Sequence, residues 1–173
     1  MLSVARGFLL ASGVLVGTVL VGCSTGTSDK NIREVTVPRL RRLVENAGGV
    51  AELKRQAEAG VSEQDVLLLI DPRVREEFER AHLPGAANMS LLSINPGRSL
   101  DPSIARYETI VVYGMDPAAP SARAMTKRLM IAGYSEVYLL AGGMRAWLDD
   151  GGEVVTPDGR VVNPDELKPA TMK

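Results

Sequence analysis

The sequence predicts an α/β domain in which a central parallel sheet is flanked by helices on both faces. Three short runs are almost wholly apolar, as in strands that are buried on both faces: Val66–Ile70, Thr109–Tyr113 and Val137–Leu140. Segments with helical spacing alternate with these runs, which favours right-handed crossovers between parallel strands. The 173 residues, 45% hydrophobic and 24% charged, suffice for one folded domain.

Two helices are expected before the first buried strand. In the first, Val37, Leu40 and Val44 share one side, and the segment ends at glycines 48 and 49. The second covers about 50–59. The opposite side of the first helix carries Arg39, Arg41, Arg42 and Glu45. These arginines are either a basic patch for lipid headgroups or a solvated helix face, and the interleaved glutamate favours the solvated face.

The remaining elements follow in order along the chain. A short helix covers Arg75–Arg80, a short strand lies within 86–90, and 95–98 is a loop. Apolar residues at helical spacing predict a helix that ends at Gly133, and another after Gly142–Gly143. A hairpin pairs 154–155 with 161–162 around Pro-Asp-Gly. We assign 35–157 to the domain and 158–173 to a C-terminal tail.

The first 22 residues resemble the signal peptide of a bacterial lipoprotein. One arginine precedes an uncharged apolar core, which ends in Leu-Val-Gly before Cys23. In such proteins cleavage precedes the cysteine, whose thiol and new amine are acylated. Residues 23–34 then form a flexible linker. Two alternatives are cleavage at another small residue, which leaves a free thiol, and an uncleaved anchor. The resemblance implies a membrane-anchored protein of the cell envelope, and Ser24 favours an outer membrane.

Charge and cysteine content exclude several classes of protein. A net charge of −1 gives no attraction to nucleic acid, so we expect no nucleic-acid partner. One cysteine and one histidine exclude an internal disulfide framework and zinc sites built from several cysteines. We expect a monomer without metal or cofactor.

Two groups of motifs resemble the rhodanese family, and the resemblance covers about 62–152. The first comprises Leu69–Arg73, then Glu77–Phe78 and His82–Ala86. The second comprises Ile110–Tyr113 and the later segments Ser121–Ala122, Gly133–Tyr134, Val137–Leu139, Gly142–Gly143 and Trp147. Each motif is short, but their order and spacing together match the family's strand, loop, helix and strand pattern. The implied fold is a single rhodanese-like domain.

Most of these motif residues are expected to have structural roles. Asp71 can accept N–H bonds from the next turn, and Arg73 can pair with Glu77 four residues later. Pro84–Gly85 predicts a turn, which a buried His82 would hold by a hydrogen bond rather than act as a base or a metal ligand. Trp147, at helical spacing, is expected in the core.

The resemblance places the chemistry in the loop after Tyr113. Active rhodaneses carry a cysteine there, and loop N–H groups and a helix N-terminus stabilise its persulfide. Here the position is Gly114, and the thioether of Met115 cannot carry sulfane sulfur. The loop has seven residues, whereas sulfurtransferases have six and phosphatase-like members, which also need a cysteine, have seven. Its residues are Gly114, Met115, Asp116, Pro117, Ala118, Ala119 and Pro120.

Other features of the loop also differ from an anion cradle. Pro117 and Pro120 lack N–H groups, and Asp116 brings a carboxylate where an anionic substrate would lie. Ser121 is predicted to cap the following helix, although it could instead be a nucleophile with Asp116 as its base. The leading hypothesis is a non-catalytic envelope lipoprotein, a pseudoenzyme that binds a protein or small ligand. The alternatives are a thiosulfate or persulfide sulfurtransferase and a hydrolase that uses Asp116 or Ser121.

Overall fold

A five-stranded parallel sheet runs through the centre of the protein. The computed structural model describes residues 27–59 and 66–163. The strands lie in the order β1-β5-β4-β2-β3, and every pair is parallel. Their bounds are β1 Glu34–Val35, β2 Leu67–Asp71, β3 Ala87–Asn88, β4 Thr109–Val112 and β5 Val137–Leu140. The predicted α/β class with a parallel sheet is confirmed.

Six helices connect the strands or precede them within the described residues. They are α1 Val37–Asn46, α2 Gly49–Ala59, α3 Arg75–Arg80, α4 Pro102–Ala105, α5 Pro120–Ala132 and α6 Gly143–Asp149. Single 3₁₀ turns occupy Asp29–Asn31 and Leu91–Ser93. The chain then forms an antiparallel hairpin of β6 Val154–Val155 and β7 Val161–Val162. Within the described ranges, no helix is long and apolar enough to cross a membrane.

Alternate residues of each strand build two apolar layers, one on each face of the sheet. Leu67 and Leu69 point to the layer formed with α1, α2 and α6. Leu68 and Ile70 point to the opposite layer, which contains the core residues of α5 and α4. All four side chains are buried because both faces of the sheet are covered by helices. The prediction of helices on both faces is therefore confirmed.

The predicted linker over 23–34 differs from the structure in its last residues. Asp29–Asn31 form a 3₁₀ turn whose Asp29 carboxylate lies 2.6 Å from the ammonium of Lys127. Strand β1 begins at Glu34 and pairs with β5, and the neighbouring Val35 is 1% exposed. Packing therefore begins before residue 35, because β1 completes an edge of the sheet. The predicted signal peptide 1–22 and Cys23 lie outside the described residues.

The C-terminal boundary at residue 157 is also too early. The predicted hairpin is present, with Val154 opposite Val162 and Val155 opposite Val161. Val162 is 4% exposed and belongs to the same apolar layer as α1 and α6. The packed domain thus includes the beginning of the segment predicted as a tail, because the second strand of the hairpin supplies a core side chain.

Candidate functional site

The loop Gly114–Pro120 lies at the carboxyl end of the sheet, where it connects β4 to α5. Its first two carbonyl groups accept hydrogen bonds from the first turn of α6: Gly114 O from Met144 N at 2.8 Å, and Met115 O from Arg145 N at 2.9 Å. Gly143 permits this contact because it has a φ of +64°, and a Cβ there would lie 2.7 Å from Gly114 O. The loop is thus docked on the start of α6.

The structure leaves no room for a side chain at Gly114. An ideal Cβ on this residue would lie 2.3 Å from the Cβ of Ala119 and 3.2 Å from that of Ala122. Ala119 therefore fills the position into which a side chain at residue 114 would project. The predicted absence of a nucleophile at this position is matched by an absence of room for one.

The N–H groups in the second half of the loop already have partners or do not exist. Ala118 N donates to Asp116 Oδ1 at 2.9 Å, and Ala119 N donates to Asp116 O at 3.2 Å. Pro117 and Pro120 have no N–H to donate. Four consecutive residues, 117–120, are therefore unable to offer a free backbone donor to an anion.

Ser121 does not cap helix α5, so that prediction is wrong. The helix begins at Pro120, Ala119 is the N-cap, and no side chain accepts from the first turn. Proline is favoured at the first helical position because its fixed φ suits the helix and its missing N–H has no partner there. Within the described residues, neither Asp116 nor any other base is hydrogen-bonded to Ser121, so the arrangement does not form an activated nucleophile.

A buried ion pair lies at the end of β2. The guanidinium of Arg73 contacts the Asp71 carboxylate through Nε at 2.9 Å and Nη2 at 2.6 Å, and Nη2 also donates to Ala81 O at 2.8 Å. The predicted backbone bond is present, since Arg73 N donates to Asp71 Oδ1 at 3.0 Å. The predicted pairing of Arg73 with Glu77 is wrong because Asp71 takes the guanidinium while Glu77 stays exposed.

Burial and pairing act in opposite directions on this arginine. Burial acts to lower the pKa of the Arg73 guanidinium, but the hydrogen bonds and charge of Asp71 outweigh it and raise the pKa above its usual value. Both side chains are almost fully buried, at 4% and 0% exposure. The pair therefore links the end of β2 to the segment after α3 and has no free charge to offer a substrate.

Tyr113 is a further member of this buried cluster, a role that the motif Ile110–Tyr113 did not predict. Its hydroxyl accepts a hydrogen bond from Leu83 N at 3.1 Å, and the Arg73 guanidinium lies 6.0 Å from the ring centre. Complete burial, assisted by the charge of Asp71, raises the pKa of Tyr113 well above its usual value. A tyrosine at the end of an otherwise apolar strand could have indicated this, because a buried hydroxyl requires a partner.

His82 is hydrogen-bonded, but its side chain is half-buried and contacts α3 rather than the Pro84–Gly85 turn that it was predicted to hold. Its Nδ1 lies 2.8 Å from Phe78 O, and its ring stacks on that of Phe78 with centroids 3.8 Å apart. Desolvation lowers the pKa of this half-buried histidine. The predicted turn at Pro84–Gly85 is present, and Gly85 has a φ of +74°. Within the described residues, no cluster of His, Cys, Asp and Glu could hold a metal ion.

Trp147 lies in the core, as predicted. It is 4% exposed, its Nε1 donates to Glu153 O at 2.8 Å, and Arg41 covers the ring at 4.8 Å. The predicted turn into α6 is made by Gly142, the N-cap, at a φ of +80°. These contacts join α6 to α1 and to the segment that leads into the hairpin.

A separate surface cleft of about 560 Å³ lies beside the loop that follows β3. It does not include any residue of the Gly114–Pro120 loop. Its walls combine apolar side chains with one arginine and one aspartate: Leu92, Ile94, Arg98, Leu100, Asp101 and Tyr134 are among them.

The comparisons with known proteins identify the family. Residues 50–150 match the family model of the rhodanese-like domain. The chain belongs to the rhodanese-like family. No curated protein matches this chain. The correspondence of Gly114 in this rhodanese-like domain to the family's reactive cysteine stays a prediction from the sequence.

Several solved structures resemble this rhodanese-like chain at low sequence identity. A protein of Bacillus halodurans is 22% identical over 76% of this chain and 82% of its own, with a TM-score of 0.47. A rhodanese-related protein of Thermoplasma volcanium is 12% identical, with coverages of 71% and 97% and a TM-score of 0.46. A thiosulfate sulfurtransferase of Pseudomonas aeruginosa is 27% identical over 72% of this chain but only 20% of its own, at a TM-score of 0.46.

Proposed function

We propose that this protein is a non-catalytic rhodanese-like module, anchored to the cell envelope by lipid on Cys23, that binds a protein or a small ligand. The observation that carries the non-catalytic part is the loop itself. Gly114 replaces the cysteine, the Cβ of Ala119 fills the adjacent space, and the N–H groups of 118 and 119 are bonded to Asp116.

The chemistry of sulfur transfer supports this proposal. A thiolate must attack the sulfane sulfur of thiosulfate, displace sulfite and hold the new persulfide until an acceptor such as cyanide removes it. The sequence contains a single cysteine, Cys23, which precedes the domain. If the sulfur of Cys23 is alkylated by the lipid group, it is a thioether and cannot form a persulfide.

Exposed apolar side chains at the same end of the sheet favour a binding role. Val74, Leu92 and Met115 follow three adjacent strands, β2, β3 and β4, and are 62%, 86% and 39% exposed. Exposed apolar side chains on neighbouring loops are typical of interaction surfaces. A protein partner or ligand could therefore use the end of the sheet at which the family performs its chemistry.

The test of the non-catalytic part is a thiosulfate–cyanide assay on the protein purified from membranes. We expect no turnover, and mass spectrometry after thiosulfate treatment should detect no added sulfur on the protein. The Cys23→Ala variant is the matched control because it removes the single thiol. Thiosulfate turnover by the wild-type protein that the variant lacks would establish Cys23 as a nucleophile and overturn the proposal.

The test of the anchor uses the same variant in cells. Cys23→Ala should abolish incorporation of labelled fatty acid and move the protein from the membrane fraction to the soluble fraction. A variant that still sediments with membranes after a salt wash would show that another segment, rather than lipid on Cys23, retains the protein.

A further inference from the structure

Six basic side chains surround edge strand β1 and the adjoining parts of α1 and α5. Three of them pair with carboxylates: Arg33 with Glu136 at 3.2 Å, Arg123 with Glu34 at 3.7 Å, and Lys127 with Asp29 at 2.6 Å. The other three are Lys30, Arg39 and Arg42, and the described residues place no carboxylate within 4 Å of them. We call these six residues the basic edge. With its three paired acids it carries a net charge of +3, which falls to +2 when the exposed Glu45, three residues after Arg42, is counted.

The charges of the basic edge lie on one continuous surface. The guanidinium groups of Arg33 and Arg39 both approach the ring of Tyr138, at 4.5 and 5.7 Å from its centre. Arg42 follows Arg39 by three residues, and both are exposed on the side of α1 opposite its core residues. Arg41 is not part of this surface, because it pairs with Asp150 and covers Trp147.

This concentration of positive charge is a local feature of the protein. The whole chain has a net charge of −1, so the rest of the sequence is acidic when the basic edge is set aside. A face of this kind is attracted to an anionic surface although the protein as a whole is not.

We propose that the basic edge rests on the anionic phospholipid headgroups of the membrane to which Cys23 tethers the protein. This inference rests on the lipid anchor of the proposed function. Ser28 lies five residues after Cys23, a stretch of chain that spans at most about 18 Å. Lys30 and Arg33 follow directly, so the anchor brings this part of the domain close to the bilayer. Each cation near an anionic leaflet strengthens binding about fivefold.

The proposed orientation leaves the opposite edge of the sheet in water. Strand β3 lies four strand positions from β1, which is about 19 Å. The loop after β3, with Leu92 and the cleft beside it, would then face away from the bilayer. A membrane-bound domain would thus keep its exposed apolar loop available to a partner.

The experiment uses the lipidated protein in vesicles of phosphatidylcholine alone or of phosphatidylcholine with phosphatidylglycerol. Energy transfer from Trp147, the single tryptophan, to a dansyl headgroup label reports how closely the domain approaches the bilayer. The test variant is Arg39→Gln/Arg42→Gln. The matched control is Arg80→Gln/Arg98→Gln, which removes the same charge from segments that follow β2 and β3.

We expect greater energy transfer in the anionic vesicles, and high salt should abolish the difference. The test variant should lose the difference, with docking weakened about 25-fold for two cations, while the control keeps it. Equal transfer in both kinds of vesicle, or an equal loss in the control, would overturn the proposal. If the protein fails to float with neutral vesicles, the lipid anchor is refuted. If it nevertheless floats with anionic vesicles, the proposed contact of the basic edge with anionic headgroups is still supported.

Discussion

Replacing Gly114 with cysteine is the most direct test of whether this loop can support sulfur transfer. The new Cβ would lie 2.3 Å from the Cβ of Ala119, so the loop or the start of α5 must shift. Overpacking of this kind costs about 2 kcal/mol, and the expected fall in Tm is roughly 4–8 °C. The variant should therefore be less stable than the wild type, and its sulfur should not lie at the helix axis.

Relief of the steric conflict should restore stability without restoring catalysis. In the double variant Gly114→Cys/Ala119→Gly, the obstructing methyl group is absent and most of the loss in Tm should disappear. The cradle remains incomplete because Pro117 and Pro120 lack N–H groups. Loss of each donor to a developing anion lowers the rate by roughly 10²–10³-fold, so two absent donors lower it by at least about 10⁴-fold.

The assay is thiosulfate–cyanide turnover, measured beside the Tm of each variant. The reference is a graft in which loop 114–120 is replaced by a six-residue cysteine loop with free N–H groups. Both point variants should fall about 10⁴-fold below the graft. If Gly114→Cys reaches the turnover of the graft, the loop is still a competent anion cradle and the physical reasoning above is wrong.

Three further predictions concern stability. Gly143→Ala should lower the free energy of unfolding by about 2 kcal/mol more than Gly151→Ala, as measured by urea denaturation. Both glycines have positive φ, but only a Cβ at residue 143 would clash with a neighbouring atom, at 2.7 Å. A chain that begins at residue 36 should be about 2 kcal/mol less stable than one that begins at 27, because it lacks the buried Val35; equal midpoints would contradict the role of β1. The pKa of His82 is lowered in the folded state, so the unfolded chain binds a proton more readily as the pH falls below about 6.5. The free energy of unfolding should therefore decrease in that pH range. His82→Gln should remove this part of the decrease.

The elements that the sequence predicted best are those with an unambiguous local pattern. The apolar runs and the glycine stops predicted β2, β4, β5 and α5 closely, because burial on both faces leaves a continuous hydrophobic signal. Helix α4 was missed, since four residues give no periodicity, although Asp101 accepts from Ser103 N as a cap. Strand β1 was missed because two residues at a sheet edge are fixed by pairing with β5 rather than by local pattern.

Some features of the candidate site could likewise be predicted from the local sequence, whereas others depend on tertiary contacts. Missing N–H groups at Pro117 and Pro120 could be predicted from residue identity alone. Arg73 pairs with Asp71 rather than Glu77 because both the guanidinium and the Asp71 carboxylate are buried. In that position the carboxylate can accept hydrogen bonds from two guanidinium nitrogens. The contact of Ala119 with Gly114 could not be predicted, since it depends on how the loop closes.

The internal hydrogen bonds of the loop are consistent with the proposed domain, which keeps its fold without transferring sulfur. An anion site must hold several N–H groups without internal partners until a ligand arrives, which costs stability. Here Gly114 O and Met115 O accept from the first turn of α6, and Asp116 accepts from two N–H groups of its own loop. The two bonds to Asp116 thus replace those that a bound anion would have accepted from Ala118 N and Ala119 N. The loop is a hydrogen-bonded connection between β4 and α5, and under the proposed function recognition would fall to the exposed side chains around it.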